Sequence, residues 1–215
     1  MRFRSDRVAF GRHETFHLRF AWLSKGFAAF KKNPEIFEDV DAATVTLGVG
    51  KNMVQAIRYW MRAAKLINPV DNLPTALGDD IFDLNHGQDP FLEDEGTLWL
   101  LHWLLASNAE MSTSIAWFFS KYHKTNFDQS ELRAALSDYL QESVTSTRRP
   151  AAGTLKTDIS VLSRLYVKTQ SAVVGEDALD SPLSELGLIV EYGKSAYKST
   201  FEHHIDLPSE IVGFA

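Results

Sequence analysis

The stretch Asp41-Ala-Ala-Thr-Val-Thr-Leu-Gly-Val-Gly-Lys-Asn-Met-Val-Gln-Ala-Ile-Arg-Tyr-Trp-Met-Arg-Ala-Ala-Lys-Leu-Ile67 carries the clearest structural pattern in the chain. Asp41 can open a short helix that runs to Leu47, and Gly48-Val49-Gly50 then interrupts it. From Lys51 to Ile67 the apolar residues Val54, Ile57, Met61 and Ala64 recur at helical spacing and define one face of a longer helix. Opposite them lies a polar stripe of Lys51, Gln55, Arg58, Arg62 and Lys65, with Asn52 at its N-terminal end. Asn and Gln amides can read adenine edges in a major groove, whereas Arg and Lys neutralise phosphates. Two helices joined by a tight glycine corner, the second anchored on one face and donor-bearing on the other, predict a helix-turn-helix unit that binds DNA. Tyr59 and Trp60 are expected to pack rather than to touch bases. The alternative is an ordinary amphipathic helix with a solvated basic face.

Working outward, Gly11 reads as a turn, Phe3, Val8 and Phe10 as part of a short strand or hairpin, and Trp22 to Phe30 as a short helix. Asn33-Pro34-Glu35 has the chemistry of a helix start. Asn68-Pro69 stops the long helix, and residues 73–82 form a connection with one helical turn. Asp94 caps the helix of Leu98, Leu101 and Leu105, and Ser112 or Thr113 opens the next, through Trp117 and Tyr122. Asp128-Gln-Ser-Glu131 resembles a capping box, followed at helical spacing by Leu132, Leu136 and Leu140. Residues 154–167 place Leu155, Ile159, Leu162 and Tyr166 on one face. These last two helices, joined by a basic loop at Arg148-Arg149, read as a second and looser helix-turn-helix with Lys156 and Arg164 exposed. Residues 188–192 and 196–201 flank Gly193-Lys194 as a β-hairpin.

The fold class expected is therefore mainly α, built on winged-helix or helix-turn-helix-like units with short β-hairpins. Four segments follow: a basic stretch 1–32, the helix-turn-helix unit 33–90, a helical region 91–170 holding the second unit, and residues 171–215 with the hairpin. Leu207-Pro-Ser-Glu-Ile211 looks like a helix start cut short, so the natural chain is expected to continue past Ala215.

Composition narrows the function classes. With 215 residues, 45% of them apolar and 12% aromatic, the chain can bury a sizeable core. It has no cysteine, which removes disulfides, thiolate metal sites and a cysteine nucleophile. The most apolar run, Thr97 to Ala106, is far short of the ~20 residues of a membrane helix, and Met1 to Arg7 lacks the apolar core of a secretory signal. A cytoplasmic location without a membrane partner is expected. The net charge of −6 does not favour nucleic acid, but its distribution does. Residues 1–32 hold Arg2, Arg4, Arg7, Arg12, Arg19, Lys25, Lys31 and Lys32 against Asp6 and Glu14, and the acidic residues gather instead between Asp79 and Glu95.

His13-Glu-Thr-Phe-His17 formally matches the zinc-protease pattern H-E-x-x-H. Too little chain precedes it to supply the usual supporting sheet, and its flanks are not amphipathic. A nuclease uses the same residues better. His13 serves as base or metal ligand, Glu14 as base or ligand of a divalent ion such as Mg²⁺ or Mn²⁺, and Arg12 or Arg19 as phosphate clamp. The competing account makes Arg12 and Glu14 a structural ion pair and packs His13 under aromatic rings. Gly48-Val-Gly-Lys51 lacks the spacing of an ATP-binding loop.

Several longer stretches carry a resemblance. Gly11-Arg-His-Glu-Thr-Phe16, Trp22-Leu-Ser-Lys-Gly26, Leu47-Gly-Val-Gly-Lys-Asn-Met-Val54 and Arg58-Tyr-Trp60 are four of them. Asp89-Pro-Phe-Leu-Glu-Asp94, Thr97-Leu-Trp-Leu-Leu-His-Trp103, Leu155-Lys-Thr-Asp-Ile159 and Ser181-Pro-Leu-Ser-Glu-Leu-Gly187 continue the series. Together they resemble the B component of Ssp-type bacterial DNA phosphorothioation systems, an originally uncharacterised domain family encoded beside sulfur-transfer genes. The resemblance implies a cytoplasmic defence pathway against phage that replaces a non-bridging phosphate oxygen of DNA with sulfur. It further implies double-stranded DNA and sulfur-transfer proteins (a cysteine desulfurase and an adenylylsulfate-reductase-like enzyme) as partners, and DNA nicking as the activity. The alternatives are a non-catalytic DNA-binding adaptor and a winged-helix regulator. The candidate residues are Arg12, His13 and Glu14 for chemistry, and Lys51, Asn52, Gln55, Arg58, Arg62, Arg148, Arg149 and Lys156 for DNA.

Overall fold

The computed structural model describes residues 7–145, 149–168, 180–193, 195–200, 207, 208, 210 and 213. Eight α-helices among them carry most of the chain: α1 (Phe20–Lys32), α2 (Val40–Leu47), α3 (Lys51–Ala63), α4 (Ala76–Phe82), α5 (Glu95–Ala106), α6 (Thr113–Lys121), α7 (Gln129–Ser143) and α8 (Ala152–Tyr166). Three short strands, β1 (Asn126–Asp128), β2 (Ile189–Gly193) and β3 (Ala196–Ser199), form an antiparallel sheet in the order β1-β3-β2. The mainly helical expectation holds, with this small sheet as its β component.

Local chemistry sets most boundaries. Asp39 caps α2 through the backbone N–H groups of Asp41 and Ala42, and Gly48 ends it in the left-handed conformation at φ 61°. Asp94 caps α5 through Gly96 N–H. Asp128 and Glu131 close a reciprocal capping box on α7. Ser181 starts a 3-10 turn at Pro182–Leu186.

Three sequence expectations give way to tertiary structure. Asn33 does not start a helix. Its side chain accepts from Glu35 N–H in a local turn, which buries Ile36 and Phe37 before α2 begins. Residues 7–10 form no strand. The long helix ends at Ala63 rather than Ile67, because Lys65 turns left-handed at φ 59° and Ile67 bridges to Pro74.

α3 is the centre of the packing. Val54, Ala56, Ile57, Tyr59, Trp60, Met61 and Ala63 are all buried. A large side chain taken wholly from water contributes about 1.5–3 kcal/mol, so this helix is a principal source of stability. α1 crosses it at Gly26, where an added Cβ would lie 2.6 Å from Ile57 Cγ2 and 2.7 Å from Met61 Sδ. Only a glycine permits that approach. At the other end Phe118, Tyr122, Phe127 and Tyr197 stack between α6 and the sheet, and one apolar cluster runs from Leu18 to Tyr197.

Candidate nucleic-acid interface

Residues 11–15 form a turn, not a helix. Gly11, Glu14 and Thr15 all have positive φ, at 68°, 49° and 71°. Positive φ is costly for Glu and Thr, and tertiary contacts hold it here. Asp158 of α8 accepts from Gly11 N–H at 2.9 Å through Oδ2, and its Oδ1 lies 3.2 Å from His13 Nε2. His13 Nδ1 in turn accepts from Thr15 N–H at 3.2 Å. An accepting Nδ1 puts the ring proton on Nε2, so His13 donates to Asp158. Arg164 donates to Thr15 O at 2.6 Å and completes the clamp.

His13 is 3% exposed, edge-on to Tyr59 and parallel to Trp60. Burial, reinforced by the charge of Asp158, pushes the Tyr59 phenol well above its ordinary range, and its hydroxyl donates to Met111 O. His13 and His17 are both buried on a non-helical segment that precedes α1, so they do not form the paired face of a zinc-binding helix. His13 thus pins the turn, while its neighbours Arg12 and Glu14 are exposed.

Those neighbours meet α3. A cleft of about 440 Å³ is lined by Val8, Ala9, Arg12, Glu14, Gln55, Arg58, Tyr59, Arg62, Glu110 and Met111. It adjoins a depression of about 800 Å³ that shares Val8, Arg62, Glu110 and Met111 and adds Arg7 and Lys65. The two make one groove along the polar stripe of α3. Two groups of candidate residues about forty positions apart in sequence are therefore neighbours in space.

The arginines are held from behind. Arg58 donates to Phe37 O at 3.4 Å and pairs with Glu38, with its guanidinium 6.0 Å from the Phe37 ring. Arg62 donates to Asn72 Oδ1 at 3.3 Å. Burial, then the nearby charge of Arg58, lowers the Arg62 pKa from its ordinary value, with Glu38 opposing. Arg12 makes no hydrogen bond or ion pair among the described residues, so the anticipated pair with Glu14 is absent. Lys51 is exposed and pairs with Asp41 at 2.8 Å; Asn52 is exposed beside it. Lys156 and Arg149 are exposed near the start of α8, and Arg148 lies outside the described residues. A larger apolar hollow of about 910 Å³ beside Trp22, Val49 and Met53 takes one candidate, Arg19, away from Arg12 and Glu14; its guanidinium lies 5.2 Å from the Trp22 ring.

Sequence reading missed Glu110 and Met111 on the groove and Asp158 beneath it. Asp158 left a usable signal: it sits on the apolar stripe of α8 between Leu155 and Ile159, where a carboxylate requires a buried partner. Among the described residues no group of three or more His, Asp or Glu side chains is arranged to hold a metal. The cleft lining sets Arg12, Arg58 and Arg62 beside Glu14 and Glu110, the latter paired with Arg7 at 3.2 Å, a donor set that suits an oxyanion rather than a cation.

A family described as a protein of unknown function, DUF4007, matches residues 10–215. The chain belongs to it. This DUF4007 member is also similar to two crystal structures of SspB, one of them described as magnesium ion-bound. Both are 34% identical over 98% of this chain, with TM-scores of 0.86 and 0.83. Those structures bear out the resemblance to the B component of Ssp-type systems. The chain spans 65% and 66% of the length of the two SspB chains. No curated protein matches it. No helix among the described residues is long and apolar enough to cross a membrane.

Proposed function

We propose that this chain is a DNA-binding component of a phosphorothioation pathway and that it grips the DNA backbone along the groove between the 11–15 turn and α3. The observation that carries this is the meeting of Arg12 and Glu14 with Gln55, Arg58 and Arg62 in one cleft. Arg58 and Arg62 neutralise backbone phosphates, and Gln55 at the same surface offers an amide to a base edge. Lys51 and Asn52, on the preceding turn of α3, extend the contact as the open end of the α2–α3 helix-turn-helix. Likeness to SspB supports the pathway; double-stranded DNA and sulfur-transfer proteins are the partners proposed within it.

We further infer a winged-helix unit from α6 to β3. Its order of helix, strand, two helices and hairpin, with β3 between β1 and β2, supports that reading. Lys156 and Arg149 give this unit a flanking phosphate contact.

Nicking assigns Glu14, on the strained turn, the role of accepting the nucleophile's proton, while the arginines offset charge on the phosphorane. His13 positions that turn. A second reading, a DNA-binding adaptor without chemistry, is favoured by the sealed environment of His13, whose two ring nitrogens are both engaged. Incubation with supercoiled plasmid, with and without Mg²⁺ or Mn²⁺, separates the two. Open-circle product that is lost in Glu14→Gln, while DNA retardation is kept, supports nicking. Retardation without open circle supports the adaptor. A chain that neither retards nor nicks DNA contradicts both.

A further inference from the structure

The cleft beside Arg58 and Arg62 has a more specific chemistry than a basic surface. Arg58 and Arg62 stand one helical turn apart on α3 and line the same cleft. The Nε of each is buried and has no hydrogen-bond partner. These Nε groups are closed to solvent, so an anion in the cleft is met by the outer guanidinium nitrogens, each of which carries a second hydrogen beyond the one already engaged. Their outer nitrogens are tied to Phe37 O, Glu38 and Asn72, so both guanidiniums are oriented before anything binds. Arg12 adds a third, unengaged guanidinium on the opposite lip.

We propose that this cleft is a seat for one singly charged phosphodiester, held by Arg12, Arg58 and Arg62, and that it discriminates against free doubly charged oxyanions. The proposal rests on the groove being the nucleic-acid surface and names what this subsite takes. Two features select the diester. First, Glu14 and Glu110 reduce the charge of the lining to a small net positive value. The attraction of an anion to that lining grows in proportion to its charge, whereas the cost of stripping its water grows with the square of the charge. A sulfate or phosphate dianion therefore loses more than it gains, and a diester monoanion does not. Second, a cleft of about 440 Å³ with Val8, Ala9 and Met111 on its wall is far larger than a bare ion needs. It has room for the sugar on either side of the phosphate.

The test uses the full chain labelled with ¹⁵N-arginine at low salt, with the Nε–H signals of Arg58 and Arg62 assigned through Arg58→Lys and Arg62→Lys. The probes are thymidylyl-thymidine, which has one internal phosphodiester and no terminal phosphate, and sodium sulfate. The expected result is saturable movement of both signals by the dinucleotide, at a concentration about tenfold below that needed for sulfate. Glu110→Gln narrows that gap by favouring sulfate. Arg12→Gln, on an exposed turn where it does not threaten folding, weakens the dinucleotide about threefold. Signals that stay put at saturating dinucleotide overturn the seat, and sulfate binding as tightly as the diester overturns the discrimination. Plasmid retardation is measured in parallel. DNA binding that persists with its full salt dependence while the dinucleotide moves neither signal removes the subsite and leaves the groove. A dinucleotide that binds to a chain that does not retard DNA removes the groove reading and leaves the subsite.

Discussion

Helices α3 and α8 begin from the same sequence logic and end differently. Each follows another helix, each has an apolar stripe, and each carries basic residues on its polar side. On α3 the polar side opens into the groove, with Gln55, Arg58 and Arg62 on its wall. On α8 the 11–15 turn lies across it, tied by Asp158 to Gly11 and His13 and by Arg164 to Thr15. Lys156 and its N-terminal neighbours stay open, and Arg164 remains exposed while it holds Thr15. Which of two similar helices keeps an open polar groove is thus decided by a segment some 150 positions away from α8 in sequence. That segment is not merely a cover. The contacts that close α8 are the ones that present Arg12 and Glu14 to α3.

The sharpest way to break this comparison is Asp158→Ala. It strands Gly11 N–H and His13 Nε2–H in a buried place, and we expect a loss of about 3 kcal/mol in chemical denaturation. DNA affinity should fall with it, because the turn loses its anchor. Gly26→Ala attacks the other side of α3, where Ile57 and Met61 leave no room for a methyl group. A loss of about 2 kcal/mol is expected, with the salt dependence of DNA binding kept in the folded fraction. Arg12→Gln should leave the melting temperature unchanged and weaken DNA binding about threefold in fluorescence anisotropy. Lys156→Gln, on the covered helix, should change the same affinity less than twofold. An effect of Lys156→Gln larger than that of Arg12→Gln would reverse the roles given to the two helices.

Much of the helical framework was legible because its signals are local. Asp94 and the Asp128–Glu131 box mark starts that depend on a few adjacent residues, whereas Ser112 stands at the start of α6 with its hydroxyl turned back to Leu105 O and Asn108 O; the hairpin of β2 and β3 announced itself by Gly193 between two apolar runs. The polar stripe of α3 was likewise legible from helical period. What escaped was set at long range. β1 is too short to show a pattern and exists through its pairing with β3. The end of α3 is fixed by the bridge from Ile67 to Pro74. The turn at Arg12–Glu14 owes its left-handed backbone to Asp158, which no reading of residues 11–15 alone contains. Residues of the candidate site were therefore found singly, as two unrelated groups, and the fold supplied their adjacency.

The central claim is that the α3 groove carries the phosphate contacts. It is tested most directly by the slope of log binding constant against log salt for a DNA duplex, compared between the natural chain and Arg58→Gln/Arg62→Gln. Each lost phosphate contact lowers the slope by about 0.9. The account predicts a drop of about 2 with a folded protein by circular dichroism. An unchanged slope and affinity in a folded double variant would contradict it and move the DNA to another face of the molecule.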